Sequence, residues 1–215
     1  MNNSNIINPF ELIEALASEL VGMQKSKQRT VIAIAGAPAS GKSTLAADLV
    51  AQLQGNGQMA SLLPMDGFHL DNSILEKQVQ IDVKGAPQTF DIFGFMALMN
   101  RIHDRSAPIY YPTFDRSRDL AIAGSGVIER SDEFIVVEGN YLLLDQHPWK
   151  SLKQLFDYTI FIDTDLEVLK KRLVQRWVSY GYELAGATKR ALGNDIPNAK
   201  LVKDFQLAAD RIIQQ

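Results

Sequence analysis

Short apolar runs bounded by polar residues recur at positions 31–35, 60–65, 134–137 and 158–162, with a weaker one at 211–213. Runs of this length read as strands buried on both faces of a sheet. Stretches with apolar residues at helical spacing separate them, at "STLAADLVAQL" after the first run and then at 72–78, 91–105, 149–156 and 165–180. The alternation predicts repeated βα units, hence an α/β three-layer sandwich with a mainly parallel sheet of about five strands and helices on both faces. Ahead of the first strand, Asn8 and Pro9 supply an N-cap and a first-turn proline, and Leu12, Ile13, Leu16 and Leu20 recur at helical spacing. Residues 1–28 therefore read as a helical extension. Positions 108–111 and 122–128 look extended, the second punctuated by Gly124-Ser125-Gly126, so 106–131 reads as a hairpin-like insertion. With no repeat or low-complexity linker, residues 1–215 are expected to form a single domain.

Composition narrows the partners. A net charge of -3 over 215 residues gives no electrostatic case for nucleic acid or a membrane surface. The absence of cysteine excludes disulfides and thiolate metal sites, and His69, His103 and His147 are too dispersed to suggest a metal triad. The start, "MNNSNIINPFELIEAL", lacks a basic region followed by an apolar core and a cleavage site, and no apolar run reaches the ~20 residues that span a bilayer. The expected location is cytoplasmic, and Asn2-Asn3-Ser4 matches a glycosylation pattern with no secretory signal behind it.

The segment "GAPASGKS", residues 36–43, matches G-x-x-x-x-G-K-[ST] between an expected strand and an expected helix. In that context the backbone of Gly36, Ala37, Ala39, Ser40 and Gly41 is expected to surround a phosphate at a positive helix N-terminus, continued by Lys42, Ser43 and Thr44. Lys42 would reach the β- and γ-phosphates and Ser43 would offer its hydroxyl to Mg²⁺. The implied cofactors are ATP, or another nucleotide, and Mg²⁺. Switches, motors and kinases share this loop, so other residues must choose among them.

Asp66 closes the second run in "LLPMDGFHL" as the phosphate loop closes the first, and ligands of open α/β sheets bind outside such strand ends. A carboxylate beside a γ-phosphate is explained if it accepts the proton of an attacking hydroxyl. Gly67 is expected to allow a sharp exit from the strand, and His69 to face the same substrate. Glu138 closes the next strand in "FIVVEGN", a Walker B-like position from which it would hold Mg²⁺ or its water. Arg172 and Arg176, four apart on a predicted helix, would form a lid over the phosphates, with 165–195 as the lid region. Tyr111, Phe114, Arg116, Arg118 and Tyr141 are the remaining pocket candidates; Arg116 and Arg118 would suit an acceptor carboxylate or phosphate, or pair locally with Asp115 and Asp119. Trp149 and Trp177 read as packing residues.

Together these residues resemble the uridine kinase, pantothenate kinase and phosphoribulokinase branch of the P-loop kinases, from Thr30 onward. Within it the chain is similar to bacterial kinase-like proteins, some called fructose transport system kinases, that carry "PMDGFHLDN", "KGAPQTFD", "FDRS", "VVEGNYLLLD" and "NDIPNA". The resemblance implies a P-loop NTPase fold and an ATP-dependent transfer to an alcohol of a small molecule: a sugar, a nucleoside or a pantothenate-like acceptor. It assigns Asp66 as base, Glu138 as Walker B acid, Arg172 and Arg176 as lid arginines, and "PTFDR" to the acceptor pocket. By the same resemblance Asn194 and Asn198 lie near the adenine; read alone they are turn residues. Two departures stand out: Phe114 replaces the tyrosine of the uridine kinase motif with no histidine after it, and the Tyr and His of the pantothenate kinase motif fall on Ile109 and Tyr111. Against the kinase stand a nucleotide-dependent switch or sensor acting on a protein partner, for which an Asn-Lys-x-Asp base-reading motif is missing. A homo-oligomer stays open.

Overall fold

The structure is a computed structural model that describes residues 9–24 and 28–215. Asn8 and the Asn2-Asn3-Ser4 pattern lie outside the described residues. Five strands, β1 (Thr30–Gly36), β2 (Ala60–Pro64), β5 (Phe134–Gly139), β6 (Tyr158–Asp163) and β7 (Arg211–Gln214), form one parallel sheet in the order β2-β5-β1-β6-β7. β1 lies between β5 and β6, so its apolar run is buried throughout, as a central parallel strand requires.

Successive side chains of β1 leave on opposite faces and build two cores. Val31, Ala33 and Ala35 pack with Ile135, Val137 and Phe161 under α4 (Ile92–Asn100). Ile32 and Ile34 pack with Val136 and Ile160 under α1 (Pro9–Met23) and α2 (Lys42–Gly55). Leu16 and Leu20 of α1 are fully buried, each stabilising the extension by roughly 1.5–3 kcal/mol. The Tyr158 hydroxyl donates to Glu19 at 2.7 Å and Arg211 lies 3.5 Å from the same carboxylate, which ties α1 to the sheet.

The expected insertion is a two-stranded antiparallel sheet of β3 (Ile109–Asp115) and β4 (Leu120–Ile128), with a register shift at Pro112, which has no N–H to give to the ladder. Three elements differ from expectation. Residues 149–156 form a 3₁₀ helix, Trp149–Leu155, and not an α-helix. The α4 helix stops at Asn100, and the carbonyls of Ile102 and Asp104 beyond it accept from Arg29. After α3 (Asn72–Lys77) and α5 (Leu166–Ser179), the stretch broken by Gly186, Gly193 and Pro197 is still helical: α6 (Leu184–Arg190), a π turn at Ala191–Asp195, and α7 (Ile196–Asp204). The reading of Asn194 and Asn198 as turn residues is corrected accordingly.

Arg29 fixes the insertion to the sheet. Its side chain is 2% exposed and donates to the carbonyls of Ile102 at 2.6 Å, Asp104 at 3.1 Å, Glu129 at 2.6 Å and Asp132 at 3.1 Å. These carbonyls belong to the segments that enter and leave the hairpin, so one guanidinium just before β1 sets where the hairpin stands. Arg29→Met should strand several buried carbonyls and lower unfolding stability by about 3 kcal/mol or more. A denaturation midpoint equal to wild type would show that the carbonyls find other partners.

Candidate active site

The parallel sheet brings the ends of β1, β2 and β5 to one edge, where Glu138 stands in register with Ile34 and Pro64. The phosphate loop leaves β1 there. Ala39 (φ 64°) and Gly41 (φ 91°) take left-handed conformations, which turn successive N–H groups into a concave anion cradle ahead of α2. A Cβ on Gly36 would lie 2.6 Å from Ser40 Oγ and 3.0 Å from the Ile162 carbonyl, so any larger residue at this bend would have to displace Ser40 and crowd β6. Ser40 Oγ is buried with no partner, an orphan beside a cradle shaped for phosphate. Ala37 packs on Leu169 and Leu173 of α5 and Ala199 of α7, while Ser43 and Thr44 are exposed on the first turn of α2. The loop therefore fits a nucleotide phosphate.

Lys42 is buried, and burial pushes its ammonium down while Glu138 and Asp66 oppose the shift. Glu138 is 5% exposed; burial pushes its carboxyl up against the pull of Lys42 and a hydrogen bond from Ser43. Ser43 hydroxyl and Glu138 carboxylate are a pair of oxygen donors at the mouth of the cradle, the small protein contribution that Mg²⁺ takes when phosphates and water complete its shell. They are the residues that would hold it.

Asp66 sits in a 3₁₀ turn, Met65–Phe68, directly after β2. Arg116, from the tip of the β3–β4 hairpin, reaches it with Nη2 2.5 Å from Oδ2. Burial alone would raise the Asp66 carboxyl, but Arg116, then His69, Lys42 and Arg176, outweigh it and hold the group below the usual carboxylate range. His69 Nδ1 donates to the Asp66 carbonyl at 2.7 Å, and burial keeps the ring's pKa down, so a neutral ring leaves Nε2 as an acceptor. The ring packs between Phe90 at 4.0 Å and Phe114 at 4.6 Å.

Gly67 corrects the expectation attached to it. Its φ is not left-handed; a Cβ there would come within 1.8 Å of the Pro112 carbonyl oxygen. Glycine is needed because the turn carrying Asp66 lies directly against β3.

One cavity of about 370 Å³ joins these groups, lined by Lys42, Asp66, His69, Phe114, Arg116 and Arg176 among others. Arg172 stands outside it: its guanidinium donates to the Ala39 carbonyl at 3.3 Å and to Gln215 Oε1 at 3.2 Å, on the outer flank of the phosphate loop. Arg176, one turn on, lies 3.8 Å from Asp195. Arg118 points away, 64% exposed and paired with Asp115 at 3.9 Å. Tyr111 and Tyr141 are core residues and not cavity walls, since the Tyr111 hydroxyl donates to the Leu62 carbonyl at 2.5 Å and that of Tyr141 to the Gly85 carbonyl at 2.6 Å. Asn194 donates to the Lys84 carbonyl at 2.8 Å and Asn198 donates to Asn194 at 3.0 Å, which fastens both to the loop on the Phe114 side of the cavity. Asn198 also lines the cavity, and the side-chain hydrogen bonds found for the two among the described residues run to that loop and to each other.

Several lining residues carried no sequence assignment. Lys84 holds the hairpin tip, donating to Asn72 Oδ1 at 2.6 Å and the Asp119 carbonyl at 2.8 Å, with its ammonium 5.2 Å from the Phe114 ring centroid. Arg190 stacks 4.5 Å from the Trp177 ring, so that tryptophan packs and also faces the cavity. The Trp177 indole donates to Asp195 at 2.5 Å. Lys84, Asn140 and Asp195 lie inside segments singled out by motif, whereas Arg190 precedes the π turn, which no periodicity marks.

Residues 31–215 match the model of the phosphoribulokinase / uridine kinase family. The chain belongs to that family. Its members are phosphotransferases with a hydroxyl group as acceptor, and the P-loop kinase fold expected from the sequence is the one observed. A Schizosaccharomyces pombe protein provisionally named a uridine kinase is 30% identical over 213 residues, covering 94% of this chain and 90% of its own. A pantothenate kinase from Parvibaculum lavamentivorans is 26% identical over 76% of this chain, which spans 53% of that enzyme. A solved structure from Silicibacter sp. TM1040, provisionally named a fructose transport system kinase, superposes with a TM-score of 0.89 at 39% identity, covering 94% of this chain and 98% of that one. Among the described residues, no helix is long and apolar enough to cross a membrane.

The contact between the 3₁₀ turn and β3 makes Gly67→Ala informative. The added methyl must separate the turn from the hairpin, which should cost roughly 1–3 kcal/mol in unfolding stability and move Asp66 from Arg116. Wild-type stability and turnover in this variant would contradict the close approach.

Proposed function

We propose that this protein transfers the γ-phosphoryl group of Mg-ATP to a hydroxyl of a small molecule, with Asp66 as the general base. The observation that carries the reading is that Lys42 and Asp66 line one cavity at the mouth of the phosphate loop, with Glu138 close enough to act electrostatically on both. A switch needs the loop and the Walker B-like acid; it has no use for a second carboxylate held beside them and facing the cavity.

The acceptor hydroxyl lies against Asp66 with its oxygen directed at the γ-phosphorus. As the new P–O bond forms, the hydroxyl proton passes to the Asp66 carboxylate, and the bond to the β-phosphate oxygen breaks with its electron pair leaving on ADP. Ser43 and Glu138 would hold Mg²⁺, which would supply charge neutralisation at the phosphate oxygens. Lys42 would place its buried ammonium at the β- and γ-phosphates, where burial strengthens each contact. Arg176 lies on the cavity wall and Arg172 on the outer flank of the loop, both carried by α5 in the 165–195 lid region. The His69–Phe114 wall excludes water from the transfer.

Asp66→Asn keeps the shape of the turn and removes the proton acceptor. ATP affinity should stay within a few-fold of wild type while acceptor-dependent ADP release falls by about 10²–10⁴-fold. Unchanged turnover with normal ATP binding would remove Asp66 from the mechanism.

A further inference from the structure

Leu169, Leu173 and the pair Arg176-Trp177 recur along α5 at helical spacing, which puts them on one face of that helix. The face meets the helical stretch at 184–204, where Ala191 and Ala199 pack on Leu169 and Leu173. The π turn at Ala191–Asp195 lies at this contact. Each residue of an α-helix turns the chain by about 100°, so the extra residue of a π turn changes which side chain meets the neighbouring helix. Here the side chain that meets α5 is that of Asp195, which is 8% exposed.

Its two carboxylate oxygens serve consecutive residues of α5. Oδ2 accepts from Trp177 Nε1 at 2.5 Å, and Oδ1 lies 3.8 Å from Arg176 Nη2. The indole is a firm anchor, because the Arg190 guanidinium lies 4.5 Å from its ring and Tyr180 and Tyr182 meet it edge-on. The contact with Arg176 is longer than a hydrogen bond, so charge steers the guanidinium while its N–H groups are left for another acceptor. It is the only ion pair of Arg176 among the described residues, and both side chains line the cavity that Lys42 and Asp66 line. The charge of Arg176 is felt at Lys42 and at Asp66, which places it at the mouth of the phosphate loop. Burial pushes the Asp195 carboxyl up, and the Trp177 hydrogen bond, Arg176 and Arg190 pull against that shift.

We infer that Asp195 is a positioning residue: anchored by Trp177, it holds Arg176 where the guanidinium meets the γ-phosphate of a nucleotide seated in the phosphate loop. That contact requires only that a triphosphate bind; its effect on transfer rests on the kinase reading. The sign of the effect separates this role from two others. A carboxylate acting only as a negative charge in the cavity repels phosphates, and one that competes with them for Arg176 keeps the arginine back, so in both cases its removal strengthens triphosphate binding. A positioning carboxylate does the reverse, because an arginine that is no longer held loses more side-chain freedom when it meets the phosphate.

The probes are Mg-ADP and Mg-AMP-PNP, a triphosphate that resists transfer, each titrated calorimetrically into the intact protein. The readout is discrimination, the Kd of ADP divided by that of AMP-PNP. Arg176→Ala should lower it by roughly tenfold, the loss of one charge-assisted contact. Asp195→Asn, whose amide oxygen can still accept from the indole, should lower it by about three- to tenfold. ADP affinity, which a merely structural role would lower as well, should hold. The double variant should discriminate no worse than Arg176→Ala, because Asp195 acts through that arginine. Where thermal unfolding shows that Asp195→Asn does not fold, Trp177→Phe removes the anchoring N–H without a change of charge and should lower discrimination by about twofold or more. Given γ-labelled ATP and the protein-free, small-molecule fraction of a cell extract, Asp195→Asn should slow transfer by about 10–100-fold. Discrimination at or above the wild-type level in the folded variant, or a further loss when the Asp195 and Arg176 changes are combined, overturns the inference. Discrimination lost in the expected pattern with no transfer by the wild-type protein upholds the role of Asp195 and counts against the kinase reading, so the two fail separately.

Discussion

The site depends on three charges that cannot be buried singly. Lys42, Glu138 and Asp66 meet at the C-terminal edge of the sheet, and each makes the burial of another tolerable. Burial pushes the Lys42 ammonium down and the Glu138 carboxyl up, and each of the two opposes the shift of the other, so a cation and two acids come together at the loop mouth.

That arrangement is produced by topology. Parallel strands β1, β2 and β5 end at the same level, so whatever residue follows each strand enters the same cleft. The second sheet supplies what the first cannot. Arg29 fixes the roots of the hairpin, Gly67 lets its β3 strand lie against the turn after β2, and Lys84 pins its tip. Arg116 is delivered to Asp66 as a consequence of these contacts, which join residues 50 positions apart in the chain.

The strands, the phosphate loop and the two strand-end carboxylates were legible because each is a local signal: a run of apolar residues, a glycine spacing, an acid after the run. The Arg116–Asp66 pair was not, since the sequence offered Asp115 and Asp119 as nearer partners and only the hairpin's placement excludes Asp119. Tyr111 and Tyr141 were misplaced for a related reason. The Tyr111 ring lies between the two sheets, and alternation along a strand with a register shift does not say which face meets the cavity; Tyr141, in the turn after β5, packs on Phe90 and Trp149, which no local pattern marks. Helices α6 and α7 were hidden by Gly186, Gly193 and Pro197, which interrupt propensity but are accommodated by a π turn and by proline's tolerance for a first helical turn.

The central claim is that phosphoryl transfer ends on a small-molecule hydroxyl. The most direct measurement supplies γ-labelled ATP to the protein with the protein-free, small-molecule fraction of a cell extract and separates the labelled products. The account predicts label in a new phosphate ester that depends on enzyme and on the added fraction. Label confined to inorganic phosphate, or carried on protein, would contradict it.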